Sequence, residues 1–154
     1  MAGRVLRSAK YRFHNPTALD ELCRLIPLSH RFDLFTLQRY IQAQAITYIP
    51  LSNASKRRRG FNQSEHIAQY LGAILNLPVC ALVTKVTETP NQASLDKKAR
   101  AQTRNHMFRA SSKGLRSVYL VDDVITTGAT MRAAAQALHN AGITSIYGIT
   151  LCRS

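Results

Sequence analysis

The sequence predicts an α/β fold, a doubly wound and mostly parallel sheet with helices on both faces. Two observations carry that expectation. Short apolar runs rich in β-branched residues, at Ala45 to Pro50, Leu77 to Val86, Ser117 to Val121 and Ile143 to Leu151, have the composition of strands buried on both faces. Between them lie stretches with apolar residues at helical spacing, Ile67, Tyr70, Leu71 and Ile74 in one and Met131, Ala134, Ala135 and Leu138 in another. Strands alternating with helices in this way form βαβ units. A chain of 154 residues makes one domain large enough to bury a core.

Taken in order, residues 1–13 read as a basic arm carrying Arg4, Arg7, Lys10 and Arg12, and residues 14–154 as the domain. Asn15-Pro16 supplies an N-cap and a first-turn proline. Leu19, Leu22, Cys23 and Ile26 then make a helical stripe that Pro27 closes. A second helix is expected from about Asp33 to Gln42 with Leu34, Leu37 and Ile41 inward. The strand Ala45 to Pro50 empties into Leu51-Ser52-Asn53-Ala54-Ser55 and then the densest charge run, Lys56-Arg57-Arg58-Arg59. Asn62 is placed to cap the next helix, with Glu65 at the capping-box position. In doubly wound sheets ligands sit beyond the C-terminal ends of strands, and this basic loop occupies such an end. It suits a pyrophosphate or a nucleic-acid backbone; a solvated charged loop is the plainer alternative.

Residues 87–106 follow the strand Leu77 to Val86 and lack apolar periodicity. They carry Lys97, Lys98, Arg100 and Arg104 against Glu88 and Asp96, so they read as a basic hood and not as core. Met107 to Ala110 resumes strand character, Ser111 to Arg116 turns, and the stretch Val118 to Thr130 follows. Here an apolar strand ends in two adjacent acids, Asp122 and Asp123, and passes through Thr126-Thr127-Gly128-Ala129-Thr130 into a helix that Gly142 closes. A strand that enters a helix through such a loop suits a phosphate. Amides converge there, the helix dipole favours negative charge, and glycine admits the ligand to the backbone. Two carboxylates would repel a bare phosphate. The conflict resolves if the ligand is a sugar phosphate, whose hydroxyls donate to the acids while the loop holds the phosphate.

The formal charge is +13 with a pI near 10.4, and two of only eight acids are the neighbours Asp122 and Asp123. Such a surplus implies a polyanionic ligand, nucleic acid or both. Cys23, Cys80 and Cys152 are widely spaced, which excludes a ligand-spaced zinc pair and favours reduced thiols in a cytoplasmic protein. No run approaches the roughly 18 apolar residues of a membrane span, and no apolar signal core follows the basic arm. His14, His30, His66, His106 and His139 share no ligand spacing, and neither a catalytic triad nor a Walker loop is present.

The stretch Val118 to Thr130 resembles the ribose-phosphate motif of the type I phosphoribosyltransferases. With Arg59-Gly60-Phe61-Asn62-Gln63 and the later Gln92, Leu95, Arg100, Asn105 and Phe108, the pattern from about Ile46 to Leu151 resembles the ComF family, the competence-associated branch. The resemblance implies the type I phosphoribosyltransferase fold with a hood loop, and phosphoribosyl pyrophosphate with Mg²⁺ as ligand. The reaction implied is that of a glycosyltransferase, displacement of pyrophosphate from the anomeric carbon by a nitrogen nucleophile. Asp122 and Asp123 would take the ribose hydroxyls and act as the catalytic pair, and Thr126, Thr127, Gly128, Ala129 and Thr130 the 5′-phosphate. Leu51, Ser52 and Asn53 with Arg57, Arg58 and Arg59 would meet the pyrophosphate, and Lys97, Lys98, Arg100 and Arg104 would close over it. Protein side chains alone would form no metal site, because Mg²⁺ keeps waters and ligand oxygens. The link to natural transformation and DNA uptake leaves a second reading open, a non-catalytic factor for single-stranded DNA. In it Lys56, Arg57, Arg58 and Arg59 track phosphates and Phe61 stacks a base. Competence-machinery proteins are the partners this branch implies. Many ComF relatives also carry a cysteine-rich zinc module, for which these residues hold no ligand pairs.

Overall fold

The computed structural model describes residues 28–52, 57, 60–86 and 107–153, together with Glu21 and Cys23. Its elements run α1 (Leu28–Ile41), β1 (Ala45–Tyr48), α2 (Gln63–Leu75), β2 (Val83–Lys85), β3 (Phe108–Ala110), β4 (Ser117–Ile125), α3 (Ala129–Asn140) and β5 (Ser145–Arg153). Three strands form a parallel sheet in the order β1-β4-β5, and β2 and β3 form a separate antiparallel ribbon.

β4 is central because its residues suit burial on both sides. Tyr119 and Val121 pack into one apolar cluster with Ile46 of β1 and Ile67 and Leu71 of α2. Val118 and Leu120 pack into another with Ala134 and Leu138 of α3, Val83 and Phe108. Successive strand side chains point to opposite faces, so one apolar strand serves two cores and the helices lie on both sides of the sheet. This is the doubly wound α/β arrangement expected, with all three parallel strands ending at one edge.

Three boundaries differ from the sequence reading. β4 does not stop at Val121; it pairs with β5 through Asp122↔Thr150, Val124↔Cys152 and Ile125↔Arg153, because a long parallel neighbour continues the ladder beneath the acids. Leu77 to Val86 is not one strand. Val79 makes an isolated parallel bridge to Ile46, and a tight turn in which the Leu82 amide donates to the Cys80 carbonyl (2.9 Å) sends the chain off into the ribbon. Finally α1 begins at Leu28, and Leu37, expected inward, is 47 % exposed. Leu34 and Ile41 do pack on the core.

A glycine is required where α2 crosses the chain that follows it: a Cβ on Gly72 would lie 2.7 Å from Val79 Cγ2 and 3.0 Å from the Leu77 carbonyl oxygen. Among the described residues Cys23, Cys80 and Cys152 form no disulfide. Among the described residues no helix is long and apolar enough to cross a membrane.

Candidate functional site

Because β1 and β4 are parallel, α2 and α3 both begin at the edge where those strands end. α2 is closed by its own side chains. Asn62 Oδ1 accepts from the Ser64 amide (3.1 Å) and Asn62 Nδ2 donates to the Ile49 carbonyl (3.0 Å), tying the helix start to the end of β1. Glu65 does not complete the expected reciprocal cap. Its Oε1 accepts instead from the Tyr48 hydroxyl (2.9 Å).

α3 begins differently. Its N-cap is Gly128, in the left-handed region at φ 72°, with no side-chain cap hydrogen bond. The nearest hydroxyl, Thr127 Oγ1, accepts from the Ala129 amide at a long 3.4 Å. Gly128 is buried while Thr126, Thr127, Ala129 and Thr130 are exposed, so the loop presents its rim to solvent. A Cβ added at Gly128 would sit 3.0 Å from Arg132 Nη1, which places a guanidinium over the same loop. Arg132 was not singled out from the sequence. Its position four residues after Gly128, one helical turn on, is the signal that could have found it.

The acid pair lies beside this loop. Asp122 and Asp123 are only 9 % and 8 % exposed. Asp122 Oδ1 accepts from Ser64 Oγ of α2 (3.0 Å) and from the Asp123 amide (2.9 Å); Asp123 Oδ1 accepts from the Val124 amide (2.9 Å). Burial, then the charge of Asp123, pushes the Asp122 carboxyl up to about 6, and the Ser64 and amide hydrogen bonds only partly offset this. Ser64 is a second residue the sequence did not flag; a hydroxyl in the first turn of a helix carries no distinctive signal. Two hard oxygen donors held this close and partly desolvated suit hydroxyl donors or a hydrated divalent cation.

Leu51 and Ser52, expected at the pyrophosphate, are half-buried just beyond β1, and Arg57 is exposed. Phe61 is half-buried against the α2 core cluster, so its ring serves packing first. Asn53, Lys56, Arg58 and Arg59, and the hood residues Lys97, Lys98, Arg100 and Arg104, lie outside the described residues. The hood's flanks do meet. The Val86 amide donates to the Met107 carbonyl (2.9 Å).

Residues 48–154 match the phosphoribosyl transferase domain family. The chain belongs to that family. Its fold is therefore of the type I phosphoribosyltransferase class, and its relatives place it in the ComF branch. It is 34 % identical to "Competence protein F" of Haemophilus influenzae, over 94 % of this chain and 66 % of that protein. It is 34 % identical to "DNA utilization protein YhgH" of Escherichia coli K12 over 71 % of this chain and 49 % of that one. It is 33 % identical to "Competence protein ComFC" of Bacillus subtilis over 69 % of this chain and 43 % of that one. The chain thus spans about half to two-thirds of these relatives. Among solved structures it is similar to a purine phosphoribosyltransferase from Pyrococcus horikoshii, with a TM-score of 0.46 and 18 % identity over 88 % of this chain and 73 % of that one.

Proposed function

We propose that this protein binds phosphoribosyl pyrophosphate with Mg²⁺ at the edge where β4 ends, and serves competence and DNA uptake. One observation carries the reading. A buried acid pair adjoins a helix N-terminus that has no side-chain cap, is entered through a left-handed glycine and has a guanidinium above it. In this reading the Thr127 to Thr130 amides and Arg132 hold the 5′-phosphate, by dipole and by charge. Asp122 and Asp123 accept the two ribose hydroxyls, and their negative charge lies beside a sugar ring that turns cationic as pyrophosphate departs. The C–O bond electrons leave with pyrophosphate, a nitrogen lone pair forms the new C–N bond, and the displaced N–H proton passes to water. Mg²⁺ arriving with the ligand would supply neutralisation of the pyrophosphate charge and would take few protein ligands. Positioning and fixed charge are what the protein supplies. The role in competence rests on the relatives' names, "Competence protein F" and "DNA utilization protein".

A second reading, single-stranded DNA binding without turnover, is favoured by the +13 charge and the exposed Arg57. Thermal unfolding separates the two. A ligand that binds only the folded state raises Tm, so phosphoribosyl pyrophosphate with Mg²⁺ should raise it in a dose-dependent way. No shift with the sugar phosphate, alongside salt-sensitive retention of single-stranded DNA, would select the second reading.

A further inference from the structure

The first turn of α2 is braced by three side-chain contacts. Asn62 Nδ2 donates to the Ile49 carbonyl (3.0 Å), Glu65 accepts from the Tyr48 hydroxyl (2.9 Å), and Ser64 Oγ donates to Asp122 Oδ1 (3.0 Å). The first two tie α2 to the end of β1. The third crosses to the acid pair on β4. A serine hydroxyl in a helix commonly bonds back to its own backbone. Here it is buried, and its hydrogen goes to a carboxylate 58 residues away.

Both protein donors to Asp122, the Ser64 hydroxyl and the Asp123 amide (2.9 Å), fall on the same oxygen, Oδ1. Two donors on one oxygen fix the rotation of the carboxyl group and leave Oδ2 to meet a ligand. The Asp123 amide cannot do this alone, because it belongs to the next residue and moves with Asp122. Ser64 is anchored on another element. We propose that Ser64 is a positioning residue for the sugar-phosphate site, its hydroxyl anchoring Oδ1 so that Oδ2 is turned to receive a ribose hydroxyl. The proposal rests on the reading of the β4 edge as that site. A fixed acceptor removes part of the ordering cost of binding. The same hydrogen bond also favours the ionised carboxylate. Burial, and then the charge of Asp123, oppose that state, and among the described residues Asp123 is the charged group that raises Asp122.

The test uses the intact chain and four variants. Ser64→Ala and Ser64→Cys remove the strong donor, the second with little change of volume. Ser64→Thr keeps a hydroxyl, and Asn62→Ala loosens the same helix start without touching Asp122. Affinity for phosphoribosyl pyrophosphate with Mg²⁺ is read by calorimetry. The titration of the Asp122–Asp123 pair is read separately, with no sugar phosphate added, by ¹³C NMR of the carboxyl carbons. Ser64→Ala and Ser64→Cys should bind about tenfold more weakly, the scale of one hydrogen bond to a charged group. In both, Asp122 should titrate above its wild-type value of about 6, and the affinity loss should grow as pH falls toward that value. Ser64→Thr should stay within about threefold of wild type, and Asn62→Ala should match wild type in both readouts. Wild-type affinity or an unmoved Asp122 midpoint in Ser64→Ala overturns the proposal, as does Ser64→Thr binding as weakly as Ser64→Ala. Equal impairment in Asn62→Ala also overturns it, since the effect then belongs to the helix start and not to the hydroxyl. If wild type never binds the sugar phosphate, the reading of the β4 edge fails. The titration then still decides Ser64, whose hold on Asp122 is upheld by a raised midpoint in Ser64→Ala and refuted by an unmoved one.

Discussion

The two helix starts at the sheet's functional edge make an instructive pair. Both follow parallel strands of one sheet, and both expose first-turn amides that the helix itself cannot satisfy. At α2 the Asn62 side chain caps the Ser64 amide and is itself tied to the Ile49 carbonyl. At α3 the N-cap offers no side chain and the Ala129 amide has only a long contact to Thr127 Oγ1, behind a left-handed glycine and beneath Arg132. In the proposed reading, equivalent geometry serves structure at one strand end and recognition at the other, and the difference lies in which end retains a side-chain cap.

The largest expected effect is at the acids. Asp122→Asn together with Asp123→Asn should lower affinity for phosphoribosyl pyrophosphate at least ~100-fold in calorimetry, since two charge-assisted hydrogen bonds are worth about 1.5–3 kcal/mol each. Folding should survive, because the Asn side chains keep an acceptor for Ser64 and for the amides. Asp122→Asn alone should even stabilise the protein above pH 6. The native state raises the Asp122 pKa from 3.8 to about 6, so it binds more protons than the unfolded chain between those values. Stability falls as pH rises through that window and stays lower above it. The gain in Tm over wild type should therefore be largest near pH 7.5 and shrink toward pH 4.

The glycines sharpen the contrast. Gly72→Ala forces a Cβ to 2.7 Å from Val79 Cγ2 and should cost about 1–3 kcal/mol of stability in denaturant unfolding, with ligand affinity per folded molecule unchanged. Gly128→Ala should cost a similar or smaller ~1–2 kcal/mol for its left-handed φ. Unlike Gly72→Ala it should also weaken the sugar phosphate, because the new Cβ crowds Arg132 and the loop. Asn62→Ala removes the α2 cap and should cost about 1 kcal/mol of stability without touching phosphate affinity. Arg132→Ala is the mirror case, with Tm unchanged and affinity reduced about tenfold, more at low salt than at high.

Much of the geometry of this candidate site was legible because its signals are local. Val118 to Thr130 places an apolar strand, two acids and a hydroxyl-glycine loop side by side, and each speaks for itself. The end of β4 was misplaced because Asp122 and Asp123 look like strand terminators, whereas pairing with β5 carries the ladder through to Ile125. Leu77 to Val86 has strand composition throughout, and only the turn at Cys80–Leu82 divides it between sheet and ribbon. Ser64 and Tyr48 went unseen since their roles depend on partners 58 and 17 residues away. Glu65 fitted a capping box by spacing, but the half-buried Tyr48 phenol competed for its carboxylate.

Backbone amide NMR, titrating the chain with phosphoribosyl pyrophosphate and Mg²⁺, tests the contrast between the two helix starts most directly. The account predicts that the amides of Asp122, Asp123 and Thr127 to Thr130 shift saturably while those of Gln63 and Ser64 at the capped turn move little. Shifts centred on the α2 turn, or none at the α3 loop at saturating ligand, would contradict it.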